Sequence, residues 1–156
     1  MKQYTWAMDL SLSNTGICIF DGNNPITAFN IQTSNKDTHG NRLKAIADSI
    51  LEKMKEYPPK FVVIEAGFTR FNKATQVLYR VHGLVNYLLC DYEQVYYPSK
   101  TVKKKVCGNG NASKDDVKNF VNRKYPHLVI ENDNESDAVA VGMCYFLEGN
   151  NEQKCL

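Results

Sequence analysis

Three apolar stretches, at residues about 3–9, 15–20 and 26–32, follow one another with only short polar turns rich in Gly, Asn, Asp and Ser between them. Runs of that length broken by turn formers read as the antiparallel strands of a meander. The pattern then changes. From Asn41 to Tyr57, Leu43, Ile46, Ala47, Ile50, Leu51 and Met54 recur at helical spacing until Pro58-Pro59 ends the stripe. A fourth strand, Phe61-Val62-Val63-Ile64, leads into a helix over 72–90 and a fifth strand, Gln94 to Tyr97, stopped by Pro98. Three further segments, roughly 99–106, 113–124 and 135–147, read as helices, and no internal repeat interrupts the series. The β-β-β-α-β-α-β-α-α-α order calls for an α/β fold. Its mixed five-stranded sheet joins a three-strand antiparallel meander to two parallel strands, with helices on the faces.

A chain of 156 residues suits one domain, 1–156, with an acidic tail from about 148 to 156 and no stretch long enough to act as a linker. The N-terminus has no charged region followed by an apolar core, and no apolar run approaches the roughly 20 residues of a bilayer span. A soluble, cytoplasmic protein is expected. Five cysteines, Cys18, Cys90, Cys107, Cys144 and Cys155, form no C-x-x-C pair and read as reduced thiols. Net charge is only +2, but its distribution is uneven: Lys100, Lys103, Lys104, Lys105, Lys114 and Lys118 gather in one region and acids collect from Glu131 onward. Such a run is either a solvated face or a surface for a polyanion.

Two carboxylates end otherwise apolar strands: Asp9 after Tyr4-Thr5-Trp6-Ala7-Met8, and Glu65 after Phe61-Val62-Val63-Ile64. Burying an unpaired charge there is costly, so the acids serve either as turn or cap residues or as ligands of a cation. A polar turn after Asp9 leads into the second strand, and the two acids would lie side by side if their strands are neighbours. Asn134 and Asp137, three residues apart at the start of the apolar run Ala138-Val139-Ala140-Val141, share one helix face. An all-oxygen set suits magnesium or manganese, and nothing in the chain matches the His/Cys pattern of zinc.

These motifs resemble those of the RuvC family of Holliday-junction resolvases, from about Tyr4 to Tyr145. Asp9 with Ser13-Asn14-Thr15-Gly16 is similar to the family's first acidic motif, and Val63-Ile64-Glu65 with Phe68 to its second. The segment from Lys103 through Gly108-Asn109-Gly110 to Lys114 resembles its basic segment, and Asp137-Ala138-Val139-Ala140 its last acidic helix. The resemblance implies an RNase H-like fold and a metal-dependent endonuclease that cuts four-way junctions through two Mg2+ ions per site, with Mn2+ as a substitute. Asp9 would bridge the ions, with Glu65, Asp137 and Asn134 completing their shells. Lys103 and Lys114, eleven residues apart, would contact phosphate near the cut. The chain departs from the family at Asn134, where a second carboxylate is expected; Asp133 or Glu135 could stand in for it. Small size and many asparagines suit a phage-type member.

Lys104, Lys105, Arg70 and Lys73 are candidates for backbone contacts with DNA. Phe68 is either a core aromatic or a wedge that stacks on an unpaired base at the crossover. Paired cuts call for a C2 homodimer, and the helix at about 72–90, with Val77, Leu78, Val81, Leu84, Val85 and Gly83, is the expected interface unless it is buried within a monomer. His39, His82 and His127 lie outside the motifs and read as surface or packing residues. The phosphate loop of sugar kinases and actin-like ATPases also resembles the Asp9 turn, but those folds need a second, duplicated domain. A broader branched-DNA or fork nuclease, and a junction-binding protein with little cleavage, remain open alternatives.

Overall fold

In a computed structural model describing residues 1–67 and 72–148, the opening runs form β1 (Tyr4–Asp9), β2 (Asn14–Asp21) and β3 (Asn24–Gln32), paired as the expected antiparallel meander. Then follow α1 (His39–Glu56), β4 (Pro59–Glu65), α2 (Lys73–Leu88), β5 (Glu93–Tyr97), α3 (Ser99–Cys107), α4 (Lys114–Lys124) and α5 (Asp133–Glu148). The sheet order is β3-β2-β1-β4-β5, with β4 parallel to β1 and β5 parallel to β4. Each parallel strand is reached through a helix, as a crossover requires. Among the described residues no helix is long and apolar enough to cross a membrane.

Helix ends follow local chemistry. Thr38 caps α1 by accepting from Asn41 N, Asn72 caps α2 through Thr75 N, and Ser113 with Asp116 forms a reciprocal capping box on α4. Gly108 ends α3 at φ 78°, a left-handed conformation that glycine adopts without the steric penalty of a Cβ. The Gly108-Asn109-Gly110 segment is therefore a helix stop that lets α4 turn back with Lys114 at its start.

Alternation along the strands divides the interior in two. Trp6, Met8, Ile17, Ile19, Val62 and Ile64 face α1 and α2, while Ala7, Cys18, Phe20, Phe61 and Val63 face α3, α4 and α5. Helix α5 is buried from Ala138 through Cys144, and its small residues let it lie close on the sheet. Helix α2 uses its apolar side internally: Val81 and Val85 are buried, and Val77, Leu78 and Leu84 are partly buried against the same core. The apolar surface expected at a dimer interface is thus largely occupied within the subunit. What faces outward is a line through Tyr79, Gly83 and Tyr87, and a Cβ at Gly83 would meet nothing within 4 Å.

Gly142 gives a direct test of this packing. A Cβ there would fall 2.2 Å from Phe20 Cε2 and 3.0 Å from Ala7 Cβ, and both of those residues are fully buried. Alanine gains about 1 kcal/mol of helix propensity over glycine, but overpacking a rigid core costs about 1–3 kcal/mol, and an aromatic ring with no free space puts the cost at the upper end. Gly142→Ala should therefore lower the urea midpoint at unchanged m-value. A variant as stable as the natural chain would contradict the close seating of α5.

Candidate active site

The parallel register of β1 with β4 runs to Met8 opposite Ile64, so the next residues, Asp9 and Glu65, end their strands side by side. Two residues earlier, Ala7 and Val63 face the α5 core, which puts both acids on the α5 side of the sheet. Gly16 pairs with Asp9 across the hairpin. A Cβ on Gly16 would lie 2.0 Å from the carbonyl oxygen of Asn134, so the first turn of α5 rests directly on the backbone of β2. This contact sets the Asn134 backbone against the hairpin partner of Asp9, and Asp137, one turn on, comes within reach of the charges of Asp9 and Glu65. Lys114 approaches from the start of α4, its Nζ 4.0 Å from Asp137 Oδ2. Half-buried Lys103, on α3, is close enough to lower the pKa of Asp137.

The neighbours of Asn134 are occupied elsewhere. Asn132 caps α5, its Oδ1 accepting from Glu135 N at 3.0 Å, so Asn134 is inside the first turn and is not its cap. Glu135 is 3% exposed and folds back to accept from Glu131 N at 2.7 Å, beside a cleft of about 530 Å³ along β3. Asp133 turns to Lys118 Nζ at 3.5 Å.

Other expected contacts are spread more widely. Lys104 is exposed on α3, and Lys105 Nζ lies 3.9 Å from Glu148 Oε1, at the opposite end of α5 from the acids. Lys105 is therefore not brought to the site. Lys73 is exposed at the start of α2, and Phe68 and Arg70 lie outside the described residues. His39 bonds Arg80 and His127 bonds the carbonyl of Pro25. His82 is buried as a packing residue, yet it sits near Glu65 and Gly67, a proximity that no spacing in the chain announces.

Burial, then the charge of Glu65 and a hydrogen bond shared with it, raise Asp9 well above the ordinary carboxylate range; Asp137 adds to this and Lys114 opposes it. Burial also lifts Asp137 to about 6, against the pull of Lys114. Burial lowers the pKa of His82, although Glu65 pulls the other way. Among the described residues no three His, Cys, Asp or Glu side chains form a ready-made cage for a metal. In this arrangement Lys114 offsets part of the repulsion among the acids. Asp9, Glu65 and Asp137 nonetheless present only hard oxygens within reach of one another's charge, which fits a hard divalent cation that keeps several waters and takes few protein ligands.

A family model described as crossover junction endodeoxyribonuclease RuvC matches residues 10–145. The chain is 36% identical over 125 residues to the crossover junction endodeoxyribonuclease RuvC of Rickettsia bellii, covering 77% of this chain and 79% of that one. The protein of the same name from Wolbachia of Brugia malayi is 30% identical over 146 residues, covering 88% and 90%. Among solved structures, Thermus thermophilus RuvC superposes with a TM-score of 0.78 at 19% identity over 95% of this chain and 96% of that one. T. thermophilus RuvC in complex with Holliday junction substrate gives 0.77 at 18% identity, covering 94% of each.

The strained charge of the site is measurable. Asp137 keeps its proton to about pH 6 when folded but releases it near pH 4 when unfolded. The folded state therefore binds the extra proton, and the resulting stability is fully present below about pH 4 and lost as pH rises through 6. Without divalent cations, the natural chain should lose up to about 3 kcal/mol relative to Asp137→Asn between pH 4 and 7, read by urea denaturation. Parallel pH profiles for the two proteins would show that burial does not hold Asp137 above the ordinary carboxylate range.

Proposed function

We propose that this chain, which belongs to the RuvC family of crossover junction endodeoxyribonucleases, resolves four-way DNA junctions by paired nicks, using divalent cations held by Asp9, Glu65, Asp137 and Asn134. The observation that carries the reading is that three carboxylates from separate elements come within reach of one another's charge beside Lys114. Magnesium or manganese bound there would supply positive charge to the scissile phosphate and a hydroxide nucleophile at neutral pH. Asp9, central to the cluster, is the candidate bridging ligand. Lys103 and Lys114 would offset charge developing on the phosphate, a role usually worth about 10²–10³ in rate for a well-placed donor. Lys104 and Lys73, both exposed, suit salt-sensitive contacts with the DNA backbone.

Two cuts need two sites, and a C2 pair of subunits would provide them. The outward face of α2, with Tyr79, Gly83 and Tyr87, is the part of that helix left for such an interface. The neutral Asn134 favours one other reading, a junction-binding protein with weak cleavage, because an amide oxygen carries no charge to offset that of a cation.

Cleavage of four-way, three-way and linear duplex DNA separates these readings. Nicking should require magnesium or manganese, favour the four-way substrate, and disappear in Asp9→Asn while junction binding in chelator stays within about threefold, since affinity rests on lysine-to-phosphate contacts. Undiminished cleavage in excess chelator would defeat the metal-dependent reading. Asn134→Asp should lower the magnesium needed for half-maximal cleavage by about tenfold, because it adds a charged ligand. If Asp133 fills the role instead, Asn134→Asp will be silent and Asp133→Asn inactive.

A further inference from the structure

Arg42 lies in the first turn of α1 and is 7% exposed. It occupies the inward stripe of that helix, four and eight residues before buried Ile46 and Ile50. Its guanidinium meets hydroxyls in place of a carboxylate: Nε donates to Thr33 Oγ1 and Nη2 to Ser13 Oγ, each at 2.8 Å. Among the described residues no acid forms an ion pair with it. A guanidinium withdrawn from water without a counter-charge is costly, so the arrangement leaves an unmet demand for an anion.

The remaining nitrogen can meet that demand. Nη1 has no partner among the described residues, and the only buried side-chain nitrogen or oxygen there without one is Asn30 Oδ1, so Nη1 is reached by solvent. Ser13 is exposed and keeps its hydroxyl proton to donate. Thr33 has given its own to Leu12 O at 2.5 Å. The first turn of α1 contains no acid, and His39 there bonds Arg80, a second guanidinium on the same side. Lys36 precedes the helix, and Asp37 is the one acid in that approach. Ser13 belongs to the turn that follows Asp9, and Thr33 follows β3 directly, so this group lies on the sheet edge where the acids end their strands. A charged guanidinium edge beside a hydroxyl donor, with no carboxylate paired to it, suits a phosphate oxygen.

We propose that Arg42 Nη1 and the Ser13 hydroxyl bind one backbone phosphate of the DNA on the α1 side of the active site. The inference rests on the junction-nuclease reading. In it Arg42 has two tasks: it pins the Asp9 turn through Ser13 and Thr33, and it offers its free edge to the strand.

Anisotropy titrations of the full-length chain in chelator, with four-way junctions carrying single methylphosphonate groups around the crossover, test this against a purely structural clamp. One neutralised phosphate should weaken binding by the natural chain about fivefold or more and leave Arg42→Gln unaffected. The same variant should reduce the slope of log affinity against log salt by about one. Ser13→Ala, which keeps the charge and is exposed, should lose part of the sensitivity at that same phosphate and covers the case in which Arg42→Gln fails to fold. If both variants, or the folded one alone, keep the natural chain's methylphosphonate profile and salt slope, the phosphate site is overturned and Arg42 is a clamp only. A natural chain that binds junctions no better than linear duplex would instead overturn the underlying reading.

Discussion

The site depends on a backbone-to-backbone contact: the first turn of α5 lies on β2 at Gly16, with no room for even one methyl group between them. Gly16 is also the hairpin partner of Asp9, so one contact fixes the distance between the strand-end acid and the helix that brings Asn134 and Asp137. Further along, the same helix rests on Phe20 and Ala7 at Gly142. Two glycine seats thus hold the helix rigidly across β1 and β2, and a site assembled from distant segments inherits the precision of a packed core.

Close packing has an electrostatic consequence. Burial in this space, and after it the charges the carboxylates set against one another, raises Asp9 and lifts Asp137 to about 6. Lys114 opposes part of these shifts, while Asp133 is drawn off by Lys118 and Glu135 by the backbone at Glu131. Asp9, Glu65 and Asp137 would hold a cation whose positive charge favours their ionised forms, leaving Lys114 to the substrate. Clusters with acidities pushed this far from their usual range are common at working sites, for the same reason.

The element order was legible because each element carried its own periodicity, and the caps at Thr38, Ser113 and Gly108 marked where helices begin and end. Asp9, Glu65 and Asp137 were legible because each is a charge at the edge of an apolar run. Other features depend on contacts between distant segments. Gly16 looked like part of a turn, and only the approach of α5 makes it a seat. Lys105 follows Lys103 and Lys104 in the chain, and only the packing of α3 on α5 shows that it lies by Glu148. The apolar face of α2 suggested a partner, yet the sheet and α1 cover most of it. His82 gave no sign of its nearness to Glu65. Arg42 did leave a trace, a charged residue four before Ile46 on a stripe that should be apolar, although its hydroxyl partners come from two other segments.

Burial and mutual charge should keep Asp9 and Asp137 from ionising at their ordinary pH until a divalent ion joins them, which a carbon-detected NMR titration of the aspartate carboxyl groups reads out. Without metal, Asp137 should titrate near 6 and Asp9 well above the ordinary carboxylate range. With saturating magnesium both should move down to the ordinary range or below it, as an opposite charge favours the ionised form. Ordinary acidities for both residues, unchanged by magnesium, would contradict the account.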